Sequence, residues 1–528
     1  MKNLLRKITS ARPPWFVHGD LDGFFGLFID NLLELMLITV LCRTACGFPA
    51  SFITGRILPG AAFSILAGNL FYSWQARRLA KKTGRTSVTA LPFGINTVSL
   101  LAFIYLVMGP VYYETGDSSL AWKAGLAACF LSGLIEMAGA FVGRWIKRHT
   151  PRAALLSALA GVALSFMVLG FSFQIFASPS IALIPMMLIL IVYGARVKLP
   201  HGVPVGLAAV LIGVAAAWGL KWAGISTINV MGDPLAISWN WPTPALRELF
   251  SILLLPHAWS YVAVVIPIAL FNVVSSIQNL ESAEAAGDAF ETKPSLLANG
   301  ATSLLAACLG SPFPTTIYIG HPGWKAMGAR TGYSALNGIV IMILCLMGGI
   351  TVVLKYIPLE VTLGLLIWIG IVIVGQAFRE TERRHSIAVA LGLIPALAAW
   401  ALHLIETTLR ATGSNLYDAF DQFGSEIYIH GIISLYQGFL LIAMIFAAIL
   451  AHVIDRKFLK AAVWSFVASL LSSIGLIHAY IITASGIQNS FGWLAAPTYA
   501  IVYAVLGLIL LVFHFSKIAT QGEAPLES

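Results

Sequence analysis

The stretch SPFPTTIYIGHPGW, residues 311–324, lies between long apolar segments and contains three prolines, two glycines and a histidine. Proline interrupts a helix because it lacks an N–H donor and clashes with the preceding turn. At membrane depth, backbone that is not helical is tolerated only where protein or a water-filled cavity covers it. The stretch therefore predicts a broken membrane span that contains a short extended segment.

The composition of the whole chain is that of a membrane protein with many spans. Of its 528 residues, 58% are hydrophobic and 10% are charged, and the mean hydropathy is +0.86. Apolar runs of about 20 residues, the length of a helix that crosses hydrocarbon, recur along the chain. Sustained two-residue alternation is absent, which argues against a membrane barrel. We predict sixteen spans, including the broken one at 311–330.

A second break mirrors the first. Residues 86–100 read TSVTALPFGINTVSL, and PFG at 92–94 corresponds to PFP at 312–314, each followed by small polar residues. Asn96 or Thr97 is placed to cap the helix that follows. The distribution of Lys and Arg along the chain predicts that the two breaks cross the membrane in opposite directions, which is typical of inverted-repeat transporters. Each predicts an extended segment followed by a half-helix whose N–H groups face a solute.

An alternative interpretation is that the prolines only kink packed helices, or that 311–324 is a surface loop. One such segment alone would favour that interpretation. The matched pair favours a binding site between two repeats.

The positive charges give the orientation. Most of the 32 Lys and Arg residues fall on one side of the membrane, which predicts a multi-pass protein of the cell (inner or plasma) membrane with both termini cytoplasmic. They also account for the net charge of +9 without a nucleic-acid partner. The predicted units are a cytoplasmic N-terminus 1–25, a first repeat 26–220, an outer connecting segment 221–257, a second repeat 258–455, two additional spans 456–515 and a cytoplasmic tail 516–528.

Three carboxylates lie beside the second break. Glu281, Glu284 and Asp288 are spaced to share one helix face. A carboxylate near hydrocarbon is costly and usually functional, so all three are candidates for proton coupling. The alternative is that some are ordinary cytoplasmic charges, because the helix leaves the membrane here.

Other polar residues within spans are weaker candidates. Asp30, Asn31 and Glu34 lie in the first span, with Asp30 and Glu34 four residues apart on one face; they could line the core or bind a cation. For Glu136, in a later span, a structural hydrogen bond is the stronger interpretation. We interpret the five cysteines as small apolar residues that pack between helices. We expect no metal site, cofactor or catalytic residue, since no phosphate loop, zinc motif or dinucleotide fingerprint occurs.

Four segments resemble the uracil/xanthine permease family, the nucleobase:cation symporters also called nucleobase–ascorbate transporters. They are EAAGD at 284–288, LLANG at 296–300, GSPFPTTIYIGHPG at 310–323 and PRAALLSALAGVALSF at 151–166. The similarity extends from about residue 20 to about residue 450. It implies an all-α polytopic fold of seven plus seven spans in an inverted repeat, with core and gate domains and two broken spans with short extended segments. Two extra C-terminal spans follow here.

The resemblance also implies a site between the two extended segments. Glu284 would be the deep carboxylate that hydrogen-bonds a base, with Phe93 and Tyr318 near its ring. The implied substrate-binding residues are Glu284, Phe93, Gly94, Asn96, Phe313, Thr315, Thr316, Tyr318, Gly320 and His321. Where the family usually has a second acidic or amide residue, this chain has Gly320 or His321. His321 could titrate near neutrality, or it could cap the half-helix with backbone partners.

These observations predict a secondary active transporter for a small planar solute, a purine or pyrimidine, coupled to protons or sodium by alternating access. An organic-anion or other solute carrier on the same fold is the alternative. An intramembrane enzyme using His321 with Glu284 is less favoured, because no nucleophile motif accompanies them. Relatives are commonly dimers, so a homodimer is expected.

Overall fold

The computed structural model describes residues 14–96, 99–100, 103–197, 199–200, 203, 205–225, 239–253, 262–350, 352, 356–424, 426–483 and 486–516. Within these residues, seven helices are long and apolar enough to cross a membrane, or eight when one bent pair is counted as a span. Several further apolar helices have 10–17 residues. Thr97, residues 226–238 and 254–257 of the predicted outer connecting segment, and residues 517–528 lie outside the described residues.

The first half of the chain contains two long helices, a strand and then further helices. Its elements are α1 (Gly19–Cys46), α2 (Ala50–Thr83), β1 (Phe93–Ile95), a π-helical turn (Phe103–Met108) that leads into α3 (Gly109–Thr115), α4 (Ser118–His149), α5 (Arg152–Ala177), α6 (Pro179–Gly194), α7 (Val205–Trp222) and α8 (Leu246–Leu253).

The second half repeats that order, with a strand after its first two helices. Its elements are α9 (Val262–Ala285), α10 (Thr292–Cys308), β2 (Thr315–Ile317), α11 (His321–Ala326), α12 (Gly332–Leu346), α13 (Leu363–Arg379), α14 (Ser386–Ala411), α15 (Leu416–Ala419), α16 (Ile429–Tyr436) and α17 (Phe439–Ile454). After them come α18 (Phe458–Ser473), β3 (Tyr480–Thr483), β4 (Gly486–Asn489) and α19 (Pro497–Phe515).

Local sequence explains several helix boundaries. The Asp117 carboxylate accepts hydrogen bonds from the N–H groups of Ser119 and Leu120 at 2.8 and 3.2 Å, which caps the start of α4. Helix α1 ends at Gly47, whose φ of 64° is left-handed. The bend of 86° between α16 and α17 falls at Gly438, which has a φ of 83°.

The helices pack in two groups. The core group, α1, α2, α4, α9, α10 and α12, surrounds both strands, with α10 against α4 and α12 against α2. The gate group, α5, α6, α7, α13, α14 and α17, packs mainly within itself, with α14 against both α5 and α17. Each group takes helices from both halves of the chain. The seam between the groups therefore divides the molecule differently from the boundary between the halves.

The prediction of a largely helical, polytopic chain with two breaks is confirmed by these elements. Two details differ. The first of the two additional spans predicted at 456–515 ends at Ser473, because Gly475 turns the chain with a φ of 83° and the antiparallel β3–β4 hairpin follows. The helix after the second break, α11, has only six residues, which is shorter than the half-helix that we expected. The predicted domain boundaries stay predictions.

Candidate functional site

The two breaks meet as a two-stranded antiparallel sheet. Strand β1 pairs with β2 in the register Phe93↔Ile317, Gly94↔Thr316 and Ile95↔Thr315, and the Tyr318 N–H extends the ladder to the Pro92 carbonyl at 2.8 Å. Both strands are completely buried. Each break is thus an extended segment, and the antiparallel pairing agrees with chains that cross in opposite directions.

Amide side chains from the first half hold β1. The Phe93 carbonyl accepts hydrogen bonds from Asn31 Nδ2 on α1 at 3.3 Å and from Asn69 Nδ2 on α2 at 3.2 Å. A Cβ added at Gly94 would collide with the Asn31 and Tyr318 side chains. Only glycine therefore fits this position without movement of a neighbour.

Hydroxyl and amide groups from three helices hold β2. The Thr315 backbone forms two hydrogen bonds of 3.1 Å with the Ser303 hydroxyl, and its side chain lies 2.6 Å from Ser64 Oγ. The Ile317 carbonyl accepts a bond of 3.2 Å from Asn279 Nδ2. These groups satisfy backbone that a helix would otherwise satisfy internally.

Thr316 lies at the centre of a buried polar network. Its hydroxyl is 2.9 Å from Ser276 Oγ and accepts a bond of 3.0 Å from Asn299 Nδ2. Asn299 also donates to Ser276 at 2.8 Å and accepts a short hydrogen bond from the Tyr72 hydroxyl. Neutral donors and acceptors thus surround the middle of β2.

The aromatic side chains assigned to the site are buried. Phe93 packs on the Tyr72 ring with centroids 5.3 Å apart, and Phe313 has no exposed surface. The Tyr318 hydroxyl donates to the Ile95 carbonyl at 2.6 Å, across the strand pair. In this conformation, Tyr318 therefore links the two breaks.

The residues that follow each strand set the direction of the chain. Asn96 Oδ1 accepts a hydrogen bond of 3.2 Å from the Ser99 N–H, which is the cap expected after the first break. Gly320 precedes α11 with a φ of 125°. His321 is buried, with Nε2 3.1 Å from the Thr89 carbonyl and 3.3 Å from Asp288 Oδ2. Two acceptors at Nε2 require that nitrogen to carry the proton, so His321 does not cap α11.

Asp288 is the deepest of the three candidate carboxylates. Its side chain is fully buried in the turn after α9, 2.7 Å from Arg85 and 2.6 Å from Lys325. It also accepts a bond of 3.0 Å from the Thr89 N–H. Burial raises its pKa, but hydrogen bonds and positive charge from His321 and Lys325 outweigh burial and lower the pKa to about 2. A carboxylate held this way stays charged and joins the two breaks.

Glu284 is not the deep carboxylate, which corrects our expectation. Its side chain is 40% exposed and forms an ion pair with Lys147 on α4. Glu281 is buried between the same Lys147, at 3.3 Å, and Arg152, at 2.6 Å. On α9, the residues that reach β2 lie on a different face from these carboxylates. The structure therefore directs Glu281 and Glu284 towards cations on α4 and α5.

The polar residues of the first span have different positions. Asn31 contacts β1, as described above. Glu34 is buried, with 3% of its surface exposed, and Asp30 is partly buried. Both lie near Tyr318.

Several residues that contact the strands were missing from the sequence-based site. They are Ser64, Asn69, Tyr72, Asn299 and Ser303. A signal for them exists, because small or polar residues recur on one face of α2 and of α10 within otherwise apolar segments. Such a face requires a polar neighbour when it is buried in a membrane protein.

No family model and no curated protein matches this chain. Among solved structures, the transmembrane domain of a cyanobacterium bicarbonate transporter, BicA, is similar with 14% identity and a TM-score of 0.43, covering 73% of this chain and 95% of that one. The overall structure of SLC26A9 is similar with 13% identity and a TM-score of 0.44, covering 72% of this chain and 62% of that one. Both scores are below 0.5, so neither likeness decides the fold or the function.

Proposed function

We propose that the chain is a secondary active transporter that binds a small planar solute, a purine or pyrimidine, at the strand pair. The observation that carries the proposal is the buried antiparallel pair of β1 and β2. Irregular backbone at membrane depth is tolerated only where protein covers it or where it lines a water-filled cavity. Paired broken spans in opposite halves are the arrangement in which transporters place their solutes.

The chemistry of the lining supports a heterocycle. The side chains that hydrogen-bond the strand residues are amides and hydroxyls, from Asn31, Asn69, Ser64, Ser276, Asn279, Asn299 and Ser303. Neutral donors and acceptors match the edge of a nucleobase, which offers both. An organic anion is the second candidate, since the same N–H donors can bind a carboxylate.

Access to the strands requires movement along the seam between the core and gate groups. Apolar side chains of both groups pack together there, such as Val273 of α9 with Leu155 of α5, and polar pairs lie beside them. Ser282 on α9 donates to Gln376 Oε1 on α13 at 2.6 Å, and Gln376 Nε2 donates back to the Ser282 carbonyl at 2.8 Å. Asp22 on α1 accepts a bond of 3.0 Å from the Gly206 N–H of α7. Bonds of this kind can break and re-form as the groups move, which suits alternating access.

Coupling to protons or sodium, a cell-membrane location with cytoplasmic termini and a homodimer complete the proposal. The expected solute site includes Glu284 only if α9 rotates from its present position, because Glu284 is paired with Lys147. Protease protection of tagged termini in oriented vesicles tests the topology. The mass of the purified protein in detergent tests the dimer.

The deciding experiment is uptake of radiolabelled nucleobases and organic anions into proteoliposomes, with and without imposed proton or sodium gradients. Thr316→Val removes a hydroxyl from the centre of β2 and should lower uptake at least tenfold. Thr302→Val on α10 is the matched control, because the Thr302 hydroxyl bonds carbonyls of its own helix, such as that of Ala298 at 2.9 Å. If only organic anions are taken up, the solute is an organic anion and not a nucleobase. No gradient-driven uptake by folded protein would refute the transporter.

A further inference from the structure

Glu136 lies in the middle of α4 and is completely buried. Close helix contacts enclose it on both sides. A Cβ at Gly133 would collide with the Gly300 carbonyl of α10, and one at Gly139 would collide with Val273 of α9. The carboxyl group is therefore fixed between three helices of the core group.

Within the described residues, neither carboxyl oxygen of Glu136 has a hydrogen-bond partner of normal geometry, and Glu136 takes part in none of the salt bridges. The polar and titratable groups that face it are Asn272 on α9, Tyr72 on α2 and Cys129 on its own helix. None of these is a cation. A buried carboxylate without a cation is strongly disfavoured, so the protein holds this group as the neutral acid.

Glu136 lies beside the polar network of both breaks. Its neighbour Asn272 accepts a hydrogen bond of 2.8 Å from the hydroxyl of Ser99, four residues after the end of β1. Its neighbour Tyr72 donates to Asn299, which in turn bonds Thr316 of β2 at 3.0 Å. A change in charge at Glu136 therefore acts on groups that position both strands.

We propose that Glu136 is a proton-carrying residue that couples an imposed proton gradient to solute movement. This inference rests on the proposed transport function. The carboxylic acid O–H dissociates when movement of the core group admits water from one side of the membrane, and the carboxylate takes a proton from water on the other side. If Glu136 has only a structural role, removing its carboxyl group leaves coupling intact.

The test separates coupling from transport. Proteoliposomes containing wild type, Glu136→Gln, Glu136→Asp or Ser132→Ala are assayed for gradient-driven accumulation and for solute exchange at equal pH on both sides. Ser132→Ala is the control, because Ser132 is buried one turn earlier on α4 and also lacks a hydrogen-bond partner among the described residues. Glu136→Gln should keep solute exchange within about threefold of wild type and lose gradient-driven accumulation. Glu136→Asp should recover part of that accumulation.

Infrared difference spectra between acidic and basic buffer give a second readout that needs no transport. A band of a protonated carboxyl should disappear at high pH in wild type and be absent in Glu136→Gln. Normal accumulation by Glu136→Gln would overturn the inference. So would a carboxyl band that persists at high pH in wild type or that is still present in Glu136→Gln. If wild type itself transports nothing, the proposed function fails, and the spectra alone decide whether Glu136 exchanges a proton. If Glu136→Gln does not fold, Glu136→Asp must still show the band.

Discussion

Replacing Asp288 by Asn should destabilise the region beside the strand pair more than any other single change of a charged group in the described part of the chain. The carboxylate is fully buried and bonded to Arg85, Lys325 and the Thr89 N–H. A pKa lowered from 3.8 to about 2 corresponds to about 2.4 kcal/mol in favour of the folded, charged state. The substitution also leaves cations without a counter-charge, which costs about 3–5 kcal/mol when a buried pair is broken. We expect a loss of about 3 kcal/mol.

Titration with SDS in mixed micelles, followed by tryptophan fluorescence, measures this loss. Glu291→Gln is the control, because Glu291 is an exposed carboxylate three residues further on and should change stability by less than about 0.5 kcal/mol. The folded pKa of Asp288 is depressed, so its contribution is complete above about pH 4 and is lost as the pH falls through about 2. The gap between wild type and Asp288→Asn should narrow over that range. A difference in unfolding free energy below about 1 kcal/mol at neutral pH, or a difference that does not change with pH, would refute this account of Asp288 and its partners.

Three further substitutions test other parts of the structure. Gly94→Ala forces a Cβ into side chains from two neighbouring elements and should cost about 1–3 kcal/mol and abolish solute uptake; unchanged SDS unfolding would show that β1 lies elsewhere. Gln376→Ala removes both bonds to Ser282 and should weaken the seam by about 1–3 kcal/mol, measured as faster hydrogen exchange in α13 with α4 as the internal reference. Asp117→Ala removes the α4 cap and should cost about 1 kcal/mol in the same SDS assay, whereas Asp117→Asn should cost less.

The breaks were predictable from sequence because their cause is local. Proline and glycine at 92–94 and 312–314 exclude regular helix wherever the rest of the chain packs. The residues that hydrogen-bond the strands were not predictable from sequence. Each amide or hydroxyl comes from another helix, so its bond to a strand depends on how the helices pack. Asn279, for example, donates to the Ile317 carbonyl, but nothing in the sequence near Asn279 indicates that partner.

The three carboxylates show a second limit. Helical spacing predicts one common face for Glu281, Glu284 and Asp288, but α9 ends at Ala285. Beyond that residue the helical period no longer applies, so Asp288 turns away towards Lys325. Glu284 forms an ion pair with Lys147, which lies 137 positions away in sequence. The sequence alone does not indicate that these two residues meet.

The hairpin β3–β4 was missed for a different reason. Its first strand, β3, reads YIIT and is as apolar as a span, so hydropathy alone continues the preceding helix into it. The turn depends on Gly475 and on His478, whose φ of 63° is rare for a residue with a side chain.

The pairing of β1 with β2 has a consequence for synthesis of the chain. Ile317 emerges from the ribosome more than 200 residues after Phe93, its partner in the sheet, and at roughly 5–20 residues per second this is a delay on the order of 10–40 seconds. During that time the first break has been made without the strand that pairs with it. The Phe93 carbonyl has amide donors from its own half, Asn31 and Asn69, which are made earlier. Both hydrogen bonds can therefore form before the second half of the chain has been made.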